Sequence, residues 1–257
     1  MPRLVGKRAL ITGGSSGIGF ATAKAFVAEG ARVAITGRNA RRLATARKAL
    51  GGEAIAVRAD VTKLRQIDSL YQQIREHFGA LDIIFANAGL VSEANITGVD
   101  ESDFDEIFDT NVKGLFFTVQ KAIPILSNGA SVILNASIAP RLGSPNSAVY
   151  AASKAAVRAL ARSFSAALIS RGVRVNAISP GPTRAGVWES SNGSRKRNQR
   201  EERQARQKIP MGRFGRPAEI AQAVVFLASD DSSFMLGAEI VVDGGKAEVP
   251  AAAPIYL

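Results

Sequence analysis

The sequence predicts a doubly wound α/β fold, in which a seven-stranded parallel sheet carries helices on both faces. Short apolar segments alternate with helical patterns along all 257 residues, which is typical of successive β-α-β crossovers. The strand segments are nearly continuous in apolar residues, as expected for strands that are covered on both faces. Glycine and polar residues directly follow several of these segments, at the edge where ligands of such sheets bind.

The predicted elements run in order from the first residues to the last. The strands are RALIT (8–12), RVAIT (32–36), AIAVR (54–58), DIIFA (82–86), SVILN (131–135), VRVNAIS (173–179) and AEIVVD (238–243). The helices are Ile18–Glu29, Ala40–Leu50, Lys63–Phe78, Ser102–Leu126, Ala148–Ser170 and Pro217–Ala228, the last of which begins at a proline that suits a first turn. We expect a single domain over 1–257, with a polar substrate-lid insertion at about 182–212.

The composition excludes several kinds of chemistry. The chain has no cysteine, which excludes disulfides and thiolate metal sites, and its lone histidine, His77, excludes a multi-histidine metal site. We therefore expect no metal and a reducing, cytoplasmic location. The N-terminal segment does not have the pattern of a signal peptide, and no segment has the length of a membrane span. The net charge of +11 permits an acidic partner, an anionic membrane or a nucleic acid without selecting one.

A glycine-rich segment, TGGSSGIG, joins the first predicted strand to the first predicted helix. Gly13, Gly17 and Gly19 let the backbone turn tightly and approach a pyrophosphate, and the N–H groups of the following helix then point at the phosphates. A tight strand-to-helix turn without any ligand would use glycines as well. The position after the first strand of an alternating α/β chain favours a dinucleotide site.

The residues after the second strand, in AITGRN, indicate which nucleotide is bound. Sites that select NAD(H) carry an acidic residue near this point, which binds the ribose hydroxyls. Here Gly37 is followed by Arg38, and a guanidinium pairs well with a 2′-phosphate. We expect NADP(H) to be preferred, with NAD(H) as the second cofactor. The alternative is that Arg38 only faces solvent.

Seven motifs, in order along the chain, resemble those of the short-chain dehydrogenase/reductase family, which has a Rossmann-type fold. They are TGGSSGIG, ADV with Asp60, NAG at 87–89, NVKG with Asn111, NAS with Ser137, YAASK at 150–154 and PG at 180–181. The resemblance covers nearly the whole chain. It implies the cofactor-binding residues Gly13, Ser15, Ser16, Gly17, Ile18, Gly19, Arg38, Asp60, Val61, Asn87, Ala88, Gly89, Tyr150, Lys154, Pro180, Gly181 and Thr183.

Tyr150 and Lys154 lie one helical turn apart, near the start of a predicted helix. A free phenol has a pKa of about 10, and both a nearby ammonium group and a helix N-terminus favour the phenolate. A surface pair on an ordinary helix would have the same spacing. Together with the other motifs, the pair predicts a proton donor with a lowered pKa.

The resemblance implies four catalytic residues and hydride transfer between a nicotinamide and a carbonyl or alcohol group. Tyr150 would be the general acid in reduction and the base in oxidation, and Lys154 would lower its pKa and hold the nicotinamide ribose. Ser137 would hydrogen bond the substrate oxygen, and Asn111 would hold a water that refills the proton relay. Taken alone, Asn111 would be a satisfied core amide. The alternative class is a protein of this fold that binds the nucleotide as a sensor without catalysis.

One position departs from the family's pattern. The segment after the sixth predicted strand is PGPTRAG, and Ala185 stands where the family often has a threonine whose hydroxyl holds the nicotinamide carboxamide. Thr183 lies two residues earlier, and we expect its backbone to contact the carboxamide.

The predicted walls of the substrate pocket are mixed and moderately apolar, with Arg141 as the one charged anchor. They are Leu90, Ile138, Ala139, Leu142, Ser144, Asn146, Trp188 and Met211. Trp188 fits a lid contact and a subunit contact equally well. Such walls suit a ketone, an aldehyde or a secondary alcohol. The alternatives within the family are a 3-oxoacyl-[acyl carrier protein] reductase and a sugar or polyol dehydrogenase.

A basic segment, RKRNQREERQARQK (195–208), has seven basic and two acidic residues. It fits a solvated lid helix, a docking site for an acidic acyl carrier protein, or a nucleic-acid contact, which the absence of aromatic residues disfavours. The resemblance also implies a homotetramer, with the helices at 102–126 and 148–170 at one interface and the last strand at another. The tail KAEVPAAAPIYL has no assigned role.

Overall fold

A single sheet of seven parallel strands forms the centre of the molecule, in the order β3-β2-β1-β4-β5-β6-β7. The computed structural model describes residues 1–184 and 199–249. The strands are β1 (Arg8–Thr12), β2 (Arg32–Gly37), β3 (Ile55–Arg58), β4 (Leu81–Ala86), β5 (Leu126–Asn135), β6 (Arg174–Pro180) and β7 (Glu239–Val242). The predicted fold is confirmed. The strand order reverses between β1 and β4, which opens a crevice at their carboxyl ends.

Helices cover both faces of the sheet. They are α1 (Gly17–Ala28), α2 (Ala40–Leu50), α3 (Leu64–Phe78), α4 (Glu101–Phe108), α5 (Leu115–Ala122), α6 (Ala148–Leu168), α7 (Gln199–Gln207) and α8 (Pro217–Ala228). One hydrophobic cluster joins α3, α5 and α6 to the sheet, and a second joins α1, α2 and α8 to the opposite face. Successive strand residues alternate between the clusters: Val132 belongs to the first and Ile133 to the second. Burial on both faces explains the nearly continuous apolar strands.

The helix predicted over Ser102–Leu126 is wrong as a single α-helix. A π-helical segment, Asp109–Gly114, separates α4 from α5, and a 3-10 turn, Ile123–Ile125, ends the stretch. Gly114 comes so close to Val61 that a Cβ at this position would lie 3.0 Å from the Val61 carbonyl oxygen. The wide turn therefore brings the backbone around Asn111 close to the end of β3, and π-turns of this kind are frequent at functional sites.

Strand β5 begins five residues before the predicted SVILN segment. Its first residues, Leu126–Ala130, contain Gly129 at a φ of +74°, and the pairing with β4 shifts register between Leu81 and Ile83. An irregular start of this kind has no alternating or continuous apolar pattern, so periodicity does not reveal it.

The described part of the insertion at 182–212 includes α7, which carries residues 199–207 of the predicted basic segment. Residues 195–198, Ala185 and Trp188 lie outside the described residues, as does the tail beyond Val249. Within 1–184 and 199–249, none of the helices combines the length and apolar composition needed to cross a bilayer.

Candidate active site

Hydrogen bonds of Thr12 connect the loop after β1 to the loop after β4. Thr12 was not among the predicted site residues. Its hydroxyl oxygen accepts hydrogen bonds from the backbone N–H groups of Asn87 and Ala88, both at 2.9 Å. The Asn87 side chain amide donates back to the Thr12 carbonyl oxygen at 2.9 Å. These bonds hold the predicted NAG motif, which follows β4, against the glycine-rich loop, which follows β1. The two loops flank the crevice. Thr12 is the first residue of TGGSSGIG, but a threonine at the end of an apolar strand also looks like an ordinary strand residue, so its bonding role was not predicted.

The predicted glycines allow this close approach. Gly13 and Gly17 have positive φ angles of +64° and +53°, which disfavour residues with a Cβ. A Cβ on Gly19 would lie 2.3 Å from the Gly13 carbonyl oxygen and 2.6 Å from the Asn87 side-chain nitrogen. The glycines therefore let α1 begin directly against the β1 loop.

A pocket of about 450 Å³ opens beside this loop. It is lined by Gly13, Ser15, Ser16, Thr36, Gly37, Arg38, Asn39, Arg42, Ala59, Asp60, Val61, Ala88, Gly89, Leu90 and Thr110. The lining includes eight of the predicted cofactor residues and one further cation, Arg42, in the first turn of α2. Neither guanidinium group, that of Arg38 or that of Arg42, has a side-chain hydrogen bond or ion pair within the described residues.

The pocket has features that fit a polar ligand such as a nucleotide. Two buried hydroxyl groups in its wall, those of Thr36 and Thr110, have no hydrogen-bond partner within the described residues. Buried polar groups normally have partners, so these two are available to a ligand. The Asp60 carboxylate is held in place, because its Oδ1 accepts from both the backbone N–H and the hydroxyl of Thr62 at 2.9 Å.

A second cavity, of about 660 Å³, adjoins the 450 Å³ pocket. Gly89 and Leu90 line both spaces. It contains the predicted residues Ile18, Asn87, Gly89, Ser137, Tyr150, Lys154, Pro180, Gly181 and Thr183. Three further predicted residues line neither the pocket nor the cavity: Gly17, Gly19 and Asn111. The two spaces together form one continuous crevice at the carboxyl end of the sheet.

Ser137 and Tyr150 face each other in the larger cavity. Ser137 follows β5, and its hydroxyl accepts from the Ala139 backbone N–H at 3.1 Å. Tyr150 lies in the first turn of α6 and lines the same cavity as Ser137. Burial raises the pKa of the Tyr150 phenol, and the nearby Ser137 side chain opposes that rise. The lowered pKa predicted from Lys154 is therefore not a property of these side chains by themselves.

Lys154 is buried, with 4% of its surface exposed. Its ammonium group donates to the Asn135 carbonyl oxygen at 2.7 Å and lies 5.9 Å from the centre of the Tyr150 ring. Burial lowers the pKa of Lys154 to about 8. The Asn135 side chain also contributes to the site: its amide donates to Asn87 Oδ1 at 3.0 Å, while its own Oδ1 is buried without a partner in the described residues.

Asn111 is fully buried in the π-helical segment, and each polar atom of its side chain is used. Its Oδ1 accepts from the Leu90 backbone N–H at 2.8 Å, and its amide donates to the Leu90 carbonyl at 2.9 Å and to the Ser153 hydroxyl at 3.1 Å. Ser153 in turn donates to the Tyr150 carbonyl oxygen at 2.7 Å. The chain of bonds connects the cavity wall at Leu90 to the helix turn that carries Tyr150.

Ser153 was missed as a functional residue, although it lies inside YAASK, and its replacement tests this chain. We expect Ser153→Ala to lower the free energy of unfolding by about 1–3 kcal/mol, because a buried amide hydrogen of Asn111 loses its acceptor. Chemical denaturation measures the change. Ser163→Ala, on an exposed face of the same helix, is the matched control. A Ser153→Ala protein as stable as the control would show that the bond contributes nothing.

The segment after β6 forms the far wall of the cavity. A Cβ on Gly181 would lie 2.5 Å from the Cβ of Asp243, so this position requires glycine. Thr183 is buried, and its hydroxyl donates to the Gly181 carbonyl at 3.0 Å. It also pairs with Gly215 through an isolated parallel bridge.

Some of the residues predicted to form the walls of the substrate pocket line the cavity, and others do not. Leu90, Ile138, Ala139, Leu142 and Ser144 line the cavity, whereas Asn146, Met211 and Arg141 are not among its lining residues. Arg141 instead forms ion pairs with Glu239 and Glu248. The expectation of a cavity without other charged groups is wrong, since Glu93, Glu201, Lys208 and Lys246 also line it. These residues come from segments far apart in the chain, so no local motif indicates them.

Comparison with known proteins agrees with this geometry. A family model described as enoyl-(acyl carrier protein) reductase matches residues 13–247. An oxidoreductase of Sarocladium schorii is 41% identical over 96% of this chain and 98% of its own length. Galactitol 2-dehydrogenase of Agrobacterium fabrum is 38% identical, over 95% and 98% of the two chains. An NADP-dependent (R)-specific alcohol dehydrogenase of Lentilactobacillus kefiri is 37% identical, over 95% and 97%.

A solved structure supports the same assignment. The crystal structure of a short-chain type dehydrogenase/reductase from Mycobacterium marinum superposes with a TM-score of 0.87 at 35% identity, covering 96% of this chain and 97% of that one. The relatives share an oxidoreductase activity and differ in the substrates that their names give. The chain therefore belongs to the short-chain dehydrogenase/reductase family, whose enzymes use NAD(P)(H) to act on CH–OH and C=O groups.

Proposed function

We propose that the protein is an NADP(H)-dependent oxidoreductase that interconverts a carbonyl and an alcohol, with Tyr150 as the general acid and base. The observation that carries the proposal is that Ser137, Tyr150 and the buried Lys154 line one cavity. That cavity continues into the pocket that contains Arg38. A proton donor, an adjoining cation and a nucleotide-sized pocket are the parts that this reaction needs.

The nicotinamide supplies or takes the hydride when it is bound. The Ser137 and Tyr150 hydroxyls receive the substrate oxygen, which they orient and polarise. Because burial raises the pKa of Tyr150, its phenol stays protonated at neutral pH and is ready to donate a proton in reduction. In oxidation the same oxygen must lose its proton first, and the positive charge of Lys154 favours that step.

The remaining two residues of the proposed catalytic set act around Tyr150. Lys154, whose pKa lies at about 8, is mostly protonated at neutral pH and exchanges protons close to that range. It is proposed to hold the nicotinamide ribose and to return a proton to Tyr150. Asn111 is proposed to serve the same relay by holding a water, which its backbone would have to bind because its side-chain atoms are already bonded to Leu90 and Ser153.

The preference for NADP(H) rests on the charges beside the smaller pocket. Arg38 and Arg42 line it with their guanidinium groups unpaired in the described residues, against one carboxylate, that of Asp60. Gly37 provides no acidic side chain at the end of β2. A 2′-phosphate placed here would be paired with a cation and would meet no carboxylate at position 37.

Arg38→Ala is expected to lower kcat/KM for NADPH by about 10- to 100-fold and to leave the value for NADH nearly unchanged, because only the phosphate loses a partner. Gly37→Asp should shift the preference toward NADH. Its Cβ would have ordinary contacts, at 3.4 Å from the Ser15 hydroxyl, so the backbone at this position accepts a side chain.

Arg41→Ala is the control for these two variants, since Arg41 is exposed on α2 and does not line the pocket. It should leave the ratio of the two kcat/KM values unchanged. A wild-type Michaelis constant for NADH at or below that for NADPH would contradict the cofactor assignment.

The reaction itself is tested by following nucleotide absorbance in the near ultraviolet. NADPH and NADH are offered in parallel with ketones, aldehydes, quinones and an acetoacetyl thioester, and the oxidised nucleotides with sugars and polyols. Substrate-dependent turnover with NADPH is the expected result. Tight nucleotide binding with no turnover on any class would favour a nucleotide-binding protein without catalysis.

The domain organisation, the lid, the location and the assembly of the protein remain predictions. We propose one domain over 1–257, a lid at about 182–212 and a cytoplasmic location. We also propose a homotetramer, and two apolar side chains beside β7 support an interface there: Phe234 is fully exposed and Leu236 is 44% exposed. Light scattering of the purified protein tests the assembly.

A further inference from the structure

One face of α7 forms part of the wall of the catalytic cavity. Glu201, Gln204 and Ala205 line it from one side of the helix, and Lys208, in the turn that directly follows α7, lines it as well. Across from them, the turn after β7 contributes Lys246 to the same cavity. The mouth of the cavity therefore brings together two lysines that are nearly forty positions apart in the sequence.

The two ammonium groups lie close enough to influence one another. Burial lowers the pKa of Lys246, and the charge of Lys208 lowers it further. Neither ammonium group has a hydrogen bond or an ion pair within the described residues. Two like charges that line one cavity, each without a counterion among the described residues, are unfavourable unless another group neutralises them.

The backbone around both lysines is tightly packed. The Asp243 carboxylate accepts from the backbone N–H groups of Gly245 and Ala247, at 2.8 and 2.7 Å, and so holds the turn that carries Lys246. Directly after Lys208, Ile209 is 1% exposed and packs against Gly244, where a Cβ would lie 2.9 Å from the Ile209 side chain. The lysine pair is thus held on a fixed framework at the cavity mouth.

The other charged groups of the cavity are already engaged. Lys154 donates to the Asn135 carbonyl oxygen. Glu93 and Glu201, the two carboxylates in the lining, each take part in an interaction of their own. Lys154 is assigned to the nicotinamide ribose and to Tyr150, so among the described residues that line this cavity Lys208 and Lys246 are the cations left for a further group of the substrate.

We propose that Lys208 and Lys246 form a subsite for an anionic oxygen group of the substrate, a carboxylate or a phosphate. The substrate is then a carbonyl compound or alcohol that carries this group at a distance from the reacting carbon. The ammonium groups act as point charges at the mouth, while Ser137 and Tyr150 hold the carbonyl oxygen deeper in the cavity. This inference rests on the proposed function, because it names the substrate class of the same site.

Matched pairs of probes test the subsite. Levulinate is compared with its methyl ester, and dihydroxyacetone phosphate with dihydroxyacetone, so that the two arms distinguish carboxylate from phosphate. Binding to wild-type protein with saturating NADP⁺ is measured by calorimetry. We expect the charged member of at least one pair to bind about tenfold more tightly at low salt, and the difference to shrink as salt is added.

Lys208→Met and Lys246→Met should each reduce that preference for the charged member several-fold, and the double variant should abolish it. Lys48→Met, on the exposed surface of α2, removes the same charge away from the cavity and should leave the preference intact. Equal binding of charged and neutral members, or a preference that survives in the double variant, would overturn the subsite.

A Tyr150→Phe protein separates this inference from the proposed function. It should keep the binding preference while losing turnover, because the lysine pair is distinct from the proton donor. If the preference holds and Tyr150→Phe still turns over substrate, the subsite stands and the catalytic assignment fails. If turnover depends on Tyr150 but no charged probe is preferred, the catalytic assignment stands and the subsite fails.

Discussion

Tyr150→Phe is expected to lower kcat by about 100- to 10,000-fold, the range that a positioned general acid contributes. The change removes one oxygen from a side chain in the first turn of α6 and keeps the ring. Steady-state kinetics at saturating NADPH measure the loss. Nucleotide affinity and the free energy of unfolding should stay close to wild type, which separates a lost proton donor from a damaged fold. A variant that keeps most of its turnover would contradict the assignment.

The pH dependence of the wild-type reaction rates also tests the role of Tyr150 as the proton donor. Burial raises the pKa of the Tyr150 phenol, so the protonated form that reduction needs is present at neutral pH. Oxidation needs the phenolate, and its rate should therefore rise with pH across the alkaline range. We expect this rise to be absent in the residual activity of Tyr150→Phe.

Gly19→Ala is expected to have the largest effect on stability and nucleotide binding. The new Cβ would lie 2.3 Å from the Gly13 carbonyl oxygen and 2.6 Å from the Asn87 amide nitrogen. The Gly13 oxygen belongs to the backbone, so the loop itself must move. Overpacking and loss of the Asn87 bonds together cost about 2–5 kcal/mol in the free energy of unfolding. Nucleotide affinity should fall at least about tenfold, because the cradle for the phosphates widens.

Gly37→Ala is the matched control for this variant. It adds the same methyl group at another glycine of the predicted nucleotide site, where the nearest atom would be 3.4 Å away. Its stability should stay within about 0.5 kcal/mol of wild type, as is usual for substitutions without a named defect. Chemical denaturation and nucleotide titration measure both variants. A Gly19→Ala protein that matches Gly37→Ala in both measurements would show that the close packing does not matter.

The sheet was predictable because its strands are buried on both faces, so each strand is a short run of apolar residues. The segments RALIT and SVILN lie in the sheet at the expected places. What periodicity could not reveal were departures from regular geometry. The π-helical segment at 109–114 keeps a helical appearance in the sequence while changing which way Asn111 points.

The candidate site was predictable where residues that belong together are also close in sequence. Tyr150 and Lys154 are one turn apart, and Ser137 directly follows a strand. Contacts between distant segments gave no local pattern. Thr12 bonds to a loop 75 residues away, and Lys208 and Lys246 line the same cavity only because of the fold. Arg141 was expected in the cavity wall and instead pairs with Glu239, an acid on the last strand.

The most direct test of the central claim is the fate of the nicotinamide hydrogen. NADPH carrying deuterium at the hydride position, on either face in separate samples, is incubated with a ketone that the wild-type enzyme reduces. We expect one of the two labels to appear on the carbinol carbon of the alcohol, observed by mass spectrometry, and Tyr150→Phe to reduce this transfer as strongly as it reduces turnover. NADPH oxidation with no label in the product, or label transfer undiminished in Tyr150→Phe, would contradict the central claim.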